Sequence, residues 1–171
     1  MLKWQLLAPL IAIGGGVVGI IAAIAEEGNF GGYFGVFVAA PIIEEAIKPV
    51  GVYFILAKWS HALRGRIYTA MLAALGGLSF AVIENTIYLQ VYFPEHTQFL
   101  VLWRYTVSLL LHVGCSFVLG LGINQKLLDS VRGEIPFLKG NRKFFIIPMV
   151  THACYNVLVF MLAERDLLPL G

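Results

Sequence analysis

Five long apolar segments constrain this chain more than any other feature of its sequence. They cover residues 4–25, 30–57, 67–92, 100–122 and 144–163. A helix needs about 20 apolar residues to cross the hydrocarbon core of a bilayer, and each segment is near or above that length. The segments lack the period-two alternation that is typical of a membrane β-barrel. The sequence therefore predicts an all-α polytopic membrane protein with about five transmembrane helices.

The amino-acid composition excludes a soluble protein. Hydrophobic residues make up 59% of the 171 residues and charged residues 13%, whereas soluble domains are about 45–50% apolar and about 25% charged. We expect a multi-pass protein of the cell membrane, surrounded by lipid. The net charge of +2 gives no case for nucleic-acid binding. No linker or shift in composition divides the chain, so residues 1–171 are predicted to form one domain.

The uneven distribution of basic residues predicts the orientation. Nine of the twelve lie on one predicted side: Lys3, Lys58, Arg64, Arg66, Lys126, Arg132, Lys139, Arg142 and Lys143. The opposite side carries Glu26, Glu27 and the tail that ends near Asp166. Because positive loops stay inside, the N-terminus is predicted to be cytoplasmic and the C-terminus external. The first segment is longer than a signal-peptide core of about 7–15 residues, so we expect a retained helix.

Four of the five segments carry polar side chains within the membrane. A charge at the centre of a membrane helix costs about 2.5–3.5 kcal/mol, and such residues usually serve a function. The second segment contributes Glu44, Glu45 and Lys48, the third Glu84 and Asn85, the fourth His112, and the fifth His152 and Asn156. A chain that keeps so many polar groups in lipid is predicted to have a site there.

The depths of these residues indicate that they meet. At 1.5 Å of rise per residue, Glu44 and His112 lie about 21 Å and 18 Å below the outer ends of their helices. By the same count, Glu84 and His152 lie about 12 Å and 16 Å deep. Four helices can therefore present carboxylates and imidazoles at one level, between the midplane and the outer leaflet.

The second segment is expected to be irregular around its charges. Pro41 and Pro49 flank them, and each removes a backbone hydrogen bond, so a kink or a water-lined break is predicted. Glu44 and Lys48 share a helix face, and Lys48 can also reach Glu45 at a spacing of three. Lys48 can thus neutralise one glutamate as a supporting counter-ion and leave the other free for chemistry.

Two imidazoles and a carboxylate form an ordinary zinc-ligand set. A divalent metal, of which zinc is the best match, would activate water, and a second carboxylate would act as general base. An alternative without metal has paired glutamates activating water while histidine and asparagine stabilise the oxyanion. The amides either join helices or support the site. We assign Glu44 and Glu45 to catalysis, Glu84, His112 and His152 to the metal, and Lys48, Asn85 and Asn156 to support.

The ordered motifs resemble those of the PrsW family of intramembrane proteases, which are related to CAAX prenyl proteases and bacteriocin-immunity proteins. The matching residues span 41–156: Glu44-Glu45 with Lys48, Phe80 followed by Glu84-Asn85, then His112, then His152 in the stretch HACYN. The prenyl-protease branch shows EExxxR and FxxxH. This chain instead has EExxK, and Glu84 where that branch has histidine, so it is more similar to the PrsW branch.

The resemblance implies an intramembrane metalloendopeptidase that cleaves a single-pass membrane protein, such as an anti-sigma factor in bacteria. The family pairs its basic residue with the second glutamate, which favours Glu44 as the base and Glu45 as the partner of Lys48. Three other functions stay open at this point: a CAAX-type prenyl-protein endopeptidase, an ion or proton transporter, and a scaffold without enzymatic activity. The oligomeric state is open as well.

Overall fold

The computed structural model describes residues 2–165, except for the side chains of residues 2, 5, 26 and 27. Asp166, which was predicted to be external, lies outside the described residues. Helices account for most of residues 2–165, and no strand occurs among them. The predicted all-α class is therefore confirmed.

The helices follow one another with short connections. Within the described residues they are α1 (Leu2–Asn29), α2 (Gly32–Phe34), α3 (Ala40–Ile47), α4 (Val50–Trp59), α5 (Arg66–Ile87), α6 (Gln98–Trp103), α7 (Leu109–Gly120), α8 (Gln125–Val131) and α9 (Arg142–Ala163). Three π-helical turns extend or join them, at Gly35–Ala39, Tyr88–Tyr92 and Arg104–Ser108. Because of these turns, α2 continues into α3, and α6 continues into α7.

Four helices are long and apolar enough to cross a membrane, by length and composition. They cover Leu6–Ala25, Arg66–Tyr92, Gln98–Gly120 and Arg142–Ala163. Large apolar side chains point outward along them, and Leu6, Ile21, Leu102 and Leu110 are each about two-thirds exposed. Such a surface suits lipid rather than water. The chain is therefore a multi-pass membrane protein, and four of the five predicted segments form continuous helices.

The remaining predicted segment, residues 30–57, is broken in the middle. α3 ends at Ile47 and α4 begins at Val50, because Pro49 between them has no N–H to donate and ends the hydrogen-bond ladder. The broken segment still runs from one end of the bundle to the other. Its first part packs against the end of α9, since the rings of Tyr33 and Phe160 are 5.4 Å apart. The count of five crossings stays a prediction.

One end of the bundle holds the start of α1, the end of α4, the start of α5, the end of α7 and the start of α9, and we name it the basic end. The ring centroids of Trp4 and Trp59 are 5.0 Å apart there, which joins the start of α1 to the end of α4. Arg66 Nε donates to Leu121 O at 3.0 Å, and its guanidinium lies 4.7 Å from the Phe144 ring. These contacts bring together helix ends that carry basic residues, and the orientation of the termini stays a prediction.

Glycines let α1 lie directly against its neighbours. A Cβ on Gly51 of α4 would overlap Ile11 O, and one on Gly16 of α1 would overlap Gly76 O. Backbones this close are typical of membrane helices that pack through small residues. This contact anchors the broken segment, and with it the residues of α3, to the bundle.

The glycine contact predicts a matched pair of mutants. Gly51→Ala is expected to destabilise the protein by about 1–3 kcal/mol because its methyl group would overpack the α1 backbone. Gly14→Ala, on the facing helix α1 but with nothing within 4 Å of its added Cβ, is expected to have no destabilising effect. Thermal unfolding in detergent measures both, and equal melting temperatures would contradict the packing described here.

Candidate intramembrane active site

The charged residues of α3 form a buried cluster. Glu45 and Lys48 are fully buried and Glu44 is nearly so. Lys48 Nζ lies 2.7 Å from Glu45 Oε1 and 3.3 Å from Glu44 Oε2, and 4.3 Å from the centre of the Phe80 ring. One ammonium group therefore faces two carboxylates and binds that of Glu45 more closely.

His112 of α7 connects this cluster to α5. Its Nδ1 lies 2.6 Å from Lys48 Nζ, and its Nε2 lies 3.0 Å from Glu84 Oε2. An ammonium group can only donate, so Nδ1 is the acceptor and Nε2 carries the proton donated to Glu84. Both ring nitrogens are thus engaged, which holds the imidazole in one orientation.

His152 of α9 also contacts the cluster. Its Nδ1 lies 2.9 Å from Glu45 Oε1, and its ring centroid is 5.1 Å from that of His112. A proton on Nδ1 donates to Glu45, which leaves Nε2 as the nitrogen able to bind a ligand. A carboxylate that orients a metal-binding histidine through its other nitrogen is a common arrangement.

Three of these side chains could hold a metal ion. Among the described residues, Glu44, His112 and His152 offer ligand atoms that all lie within 4.8 Å of one another. Glu44 Oε2 is buried and accepts no hydrogen bond from any described group, so it has capacity for a cation. One carboxylate and two imidazoles are also the donor set of known catalytic zinc sites. The residues therefore fit a divalent metal.

The predicted third ligand, Glu84, occupies a different position in the site. Its carboxylate contacts one of the two imidazoles, that of His112, whereas the group that includes both imidazoles contains Glu44. The assignment of Glu84 to the metal therefore stays a prediction, with Glu44 as a second candidate. Of the predicted catalytic pair, Glu45 is occupied by Lys48 and His152, and Glu44 is the freer carboxylate.

Lys48 limits how a metal can enter. A metal on His112 Nδ1 would replace the ammonium group that now lies against that atom. A metal on Nε2 would require the proton to be on Nδ1, where it would oppose the Lys48 donor. In both cases metal binding and the Lys48–His112 contact exclude each other. When a metal binds His112, the Lys48 ammonium group therefore keeps only its contacts with Glu44 and Glu45.

The two predicted supporting amides join helices beside the site. Asn85 Nδ2 donates to Arg104 O at 2.7 Å, which ties α5 to the π-helical turn after α6. Asn156 Nδ2 donates to Val36 O at 2.8 Å, which ties α9 to the π-helical turn before α3. Each amide thus fixes a helix that carries a residue of the cluster.

Arg104 belongs to the site, although it was not among the predicted site residues. Its Nη2 donates to Glu84 Oε2 at 3.1 Å, and its guanidinium lies 3.7 Å from the centre of the Tyr88 ring. Only 11% of its side chain is exposed. The available signal was its place four residues inside the fourth apolar segment, since an arginine within a membrane segment is itself unusual.

A cavity of about 390 Å³ opens onto the cluster. Its walls include Glu44, Glu84, His112, His152, Arg104 and Ser108. Gly31, Phe93 and Ala163 also line it, so it extends toward the end of the bundle opposite the basic end. Water can therefore reach side chains that lie at membrane depth.

One comparison with known proteins identifies a family for this chain. The sequence profile of the PrsW family, described as intramembrane metalloproteases, matches residues 3–168, nearly the whole chain. No curated protein and no solved structure shows significant similarity to it. With the helical membrane fold and the clustered glutamates and histidines, this match identifies the protein at the level of its family. The chain belongs to the PrsW family of intramembrane metalloproteases.

Proposed function

We propose that the protein is a metal-dependent endopeptidase of the cell membrane that hydrolyses a peptide bond of a single-pass membrane protein. The observation that carries this proposal is the meeting of Glu44, His112 and His152 within 4.8 Å, beside a cavity at membrane depth. The family description supports the same reaction class. In a bacterial cell, the family resemblance makes an anti-sigma factor a candidate substrate.

His112 and His152 are proposed to hold the metal, together with Glu84 as predicted or with Glu44. A divalent metal, when bound, would supply Lewis-acid activation of water and of the scissile carbonyl. His152 is pre-oriented for this role, because Glu45 accepts from its Nδ1 and leaves Nε2 free. His112 must first give up its contact with Lys48.

Glu44 is the proposed general base. Glu44 lines the cavity, and its carboxylate can take a proton from an attacking water. The same carboxylic acid can then return that proton to the leaving amine nitrogen. Lys48 supports this division of roles because its ammonium is closer to Glu45 than to Glu44.

A reconstitution experiment tests the proposal. The purified protein would be placed in liposomes with a panel of single-pass membrane proteins, and fragments would be identified by mass spectrometry. We expect cleavage within or near the membrane segment by the wild type, and none by His152→Ala. His61→Ala is the matched control, because His61 lies at the basic end beside Trp4 and should retain activity. Identical fragments with His152→Ala, or none with the wild type, would contradict the proposal.

A further inference from the structure

The connection between α7 and α9 folds into a closed loop at the basic end, and we name residues 124–141 the connecting loop. The side-chain amides of its first and last residues, Asn124 and Asn141, hydrogen-bond to each other at 3.3 and 3.4 Å. Leu127 of α8 and Leu138 pack into the hydrophobic core. Because its ends and its inner face are fixed, the connecting loop presents one defined outer surface.

The outer surface of the connecting loop carries two large apolar side chains. Val131 is 67% exposed and Phe137 is 68% exposed, although neither belongs to one of the four membrane-crossing helices. Ser130 Oγ accepts from the Leu138 N–H at 2.7 Å and donates to Pro136 O at 3.4 Å. These two bonds hold the backbone on both sides of Phe137 against the residue that precedes Val131. The two apolar side chains therefore lie on neighbouring parts of a fixed surface, and adjacent exposed apolar groups mark an interaction site.

Basic side chains flank both apolar residues. Arg132 follows Val131 directly, and Lys139 is two residues after Phe137. Together with the first two residues of α9, the connecting loop has two acidic residues, Asp129 and Glu134, and five exposed basic ones: Lys126, Arg132, Lys139, Arg142 and Lys143. None of the five forms an ion pair with a residue that the structure describes. The surface therefore keeps an excess of positive charge and is complementary to an anionic partner.

The position of the connecting loop selects its partner. The loop begins four residues after the crossing helix Gln98–Gly120 and ends immediately before the crossing helix Arg142–Ala163. Ile146 is 52% exposed and lies four residues after Arg142, so the lipid-facing surface of α9 begins about 6 Å from the loop. The loop therefore lies at the level of the lipid headgroups, where apolar side chains enter the acyl boundary and basic ones contact phosphates. A soluble acidic protein would match the charge alone, whereas anionic lipid matches both the charge and the position.

We propose that the connecting loop binds the anionic phospholipids of the leaflet at the basic end. Val131 and Phe137 insert between the headgroups, and Arg132 and Lys139 bind the lipid phosphates. The ligand class is a phospholipid whose headgroup carries a net negative charge. This anchor holds the adjoining ends of α7 and α9 at one depth, and these two helices carry the two histidines of the site. Lipid binding here does not depend on the proposed hydrolysis.

Quenching by nitroxide-labelled lipids tests the lipid contact. The reporter is a bimane fluorophore on Phe137→Cys, with Cys154→Ala removing the exposed cysteine while Cys115 stays buried. The full chain is placed in vesicles of phosphatidylglycerol and phosphatidylcholine, and one of the two lipids at a time carries the nitroxide on its acyl chain near the headgroup. The ratio of the two quenching constants gives the preference for anionic lipid. We expect at least about a fivefold preference, the contribution of one basic residue close to an anionic membrane.

Charge variants separate the connecting loop from the rest of the basic end. Arg132→Gln combined with Lys139→Gln is expected to reduce the preference to less than about twofold. Lys3→Gln combined with Arg64→Gln is the matched control, because it removes the same charge from exposed residues outside the loop, and it should leave the preference unchanged. All four side chains are exposed, so both double variants should unfold at the temperature of the parent protein.

A second reporter keeps Phe137 in place. Bimane on Val131→Cys should be quenched with the same preference, since the two residues lie on neighbouring parts of the surface. A loop that faces water, open to a soluble partner, would leave both reporters unquenched and would overturn the proposal. Equal quenching by the two lipids, or an equal loss of preference in the two double variants, would also overturn it. No substrate is present, so none of these results depends on the proposed hydrolysis.

Discussion

Replacing Glu44 by glutamine is expected to lower kcat for peptide hydrolysis by about 10²–10⁴-fold, the usual contribution of a general base. Glutamine keeps the shape of the side chain but cannot accept the proton of an attacking water. Little stability should be lost, because Glu44 Oε2 takes part in no hydrogen bond with described groups and is the more distant partner of Lys48.

The same variant distinguishes the two possible roles of Glu44. If Glu44 is the base and Glu84 the third ligand, Glu44→Gln should keep its metal while Glu84→Gln loses it. If Glu44 is the ligand, Glu84→Gln should keep its metal and Glu44→Gln should lose it. Kinetics in liposomes and metal analysis of the same preparations give both readouts. Glu134→Gln changes an exposed loop residue and is the control. Full activity in Glu44→Gln would refute an essential role of Glu44, both as the base and as a metal ligand.

Lys48→Met is expected to destabilise the protein by about 3–5 kcal/mol, the cost of removing one partner of a buried ion pair. Lys48 is fully buried against the fully buried Glu45, and its ammonium also faces Glu44 and His112. Without it, two carboxylates would remain at membrane depth with no lysine to neutralise them. The effect should therefore exceed that of most single substitutions.

Two further variants test whether the loss of stability in Lys48→Met comes from the broken ion pair. Lys48→Met combined with Glu45→Gln removes both charges of the closest pair and should recover part of the stability. Lys58→Met, an exposed lysine at the end of α4, should change stability by less than about 0.5 kcal/mol. Unfolding in mixed detergent by heat or denaturant measures all three. Equal stability of the two single variants would show that the buried cluster does not depend on Lys48.

The architecture was predictable where it depends on regular helix geometry. Lengths near 20 apolar residues gave four of the predicted helices directly. A fixed rise per residue converts sequence position into membrane depth, which is why Glu44, Glu84, His112 and His152 were expected at one level. The break in the second segment was also predicted, because Pro49 removes a backbone donor whatever its surroundings.

The rotation of each helix about its own axis could not be predicted from the sequence. Arg104 faces the cavity through a π-helical turn, and such a turn changes the angular phase of every residue around it. The residues Arg104–Ser108 contain no sequence signal that predicts a π-helical turn. The position of Glu44 beside both histidines likewise depends on how α3 packs after the Pro49 break, so the sequence could name the glutamates but not divide their roles.

Metal content is the most direct test of the central claim, that clustered histidines and glutamates within the membrane bind a catalytic metal. Native mass spectrometry of detergent-purified protein would be compared with that of His112→Ala and His152→Ala. We predict close to one zinc per wild-type chain and none in either folded variant. A folded wild-type protein that binds no divalent metal, even after zinc is supplied, would contradict the account and leave hydrolysis to the glutamates alone.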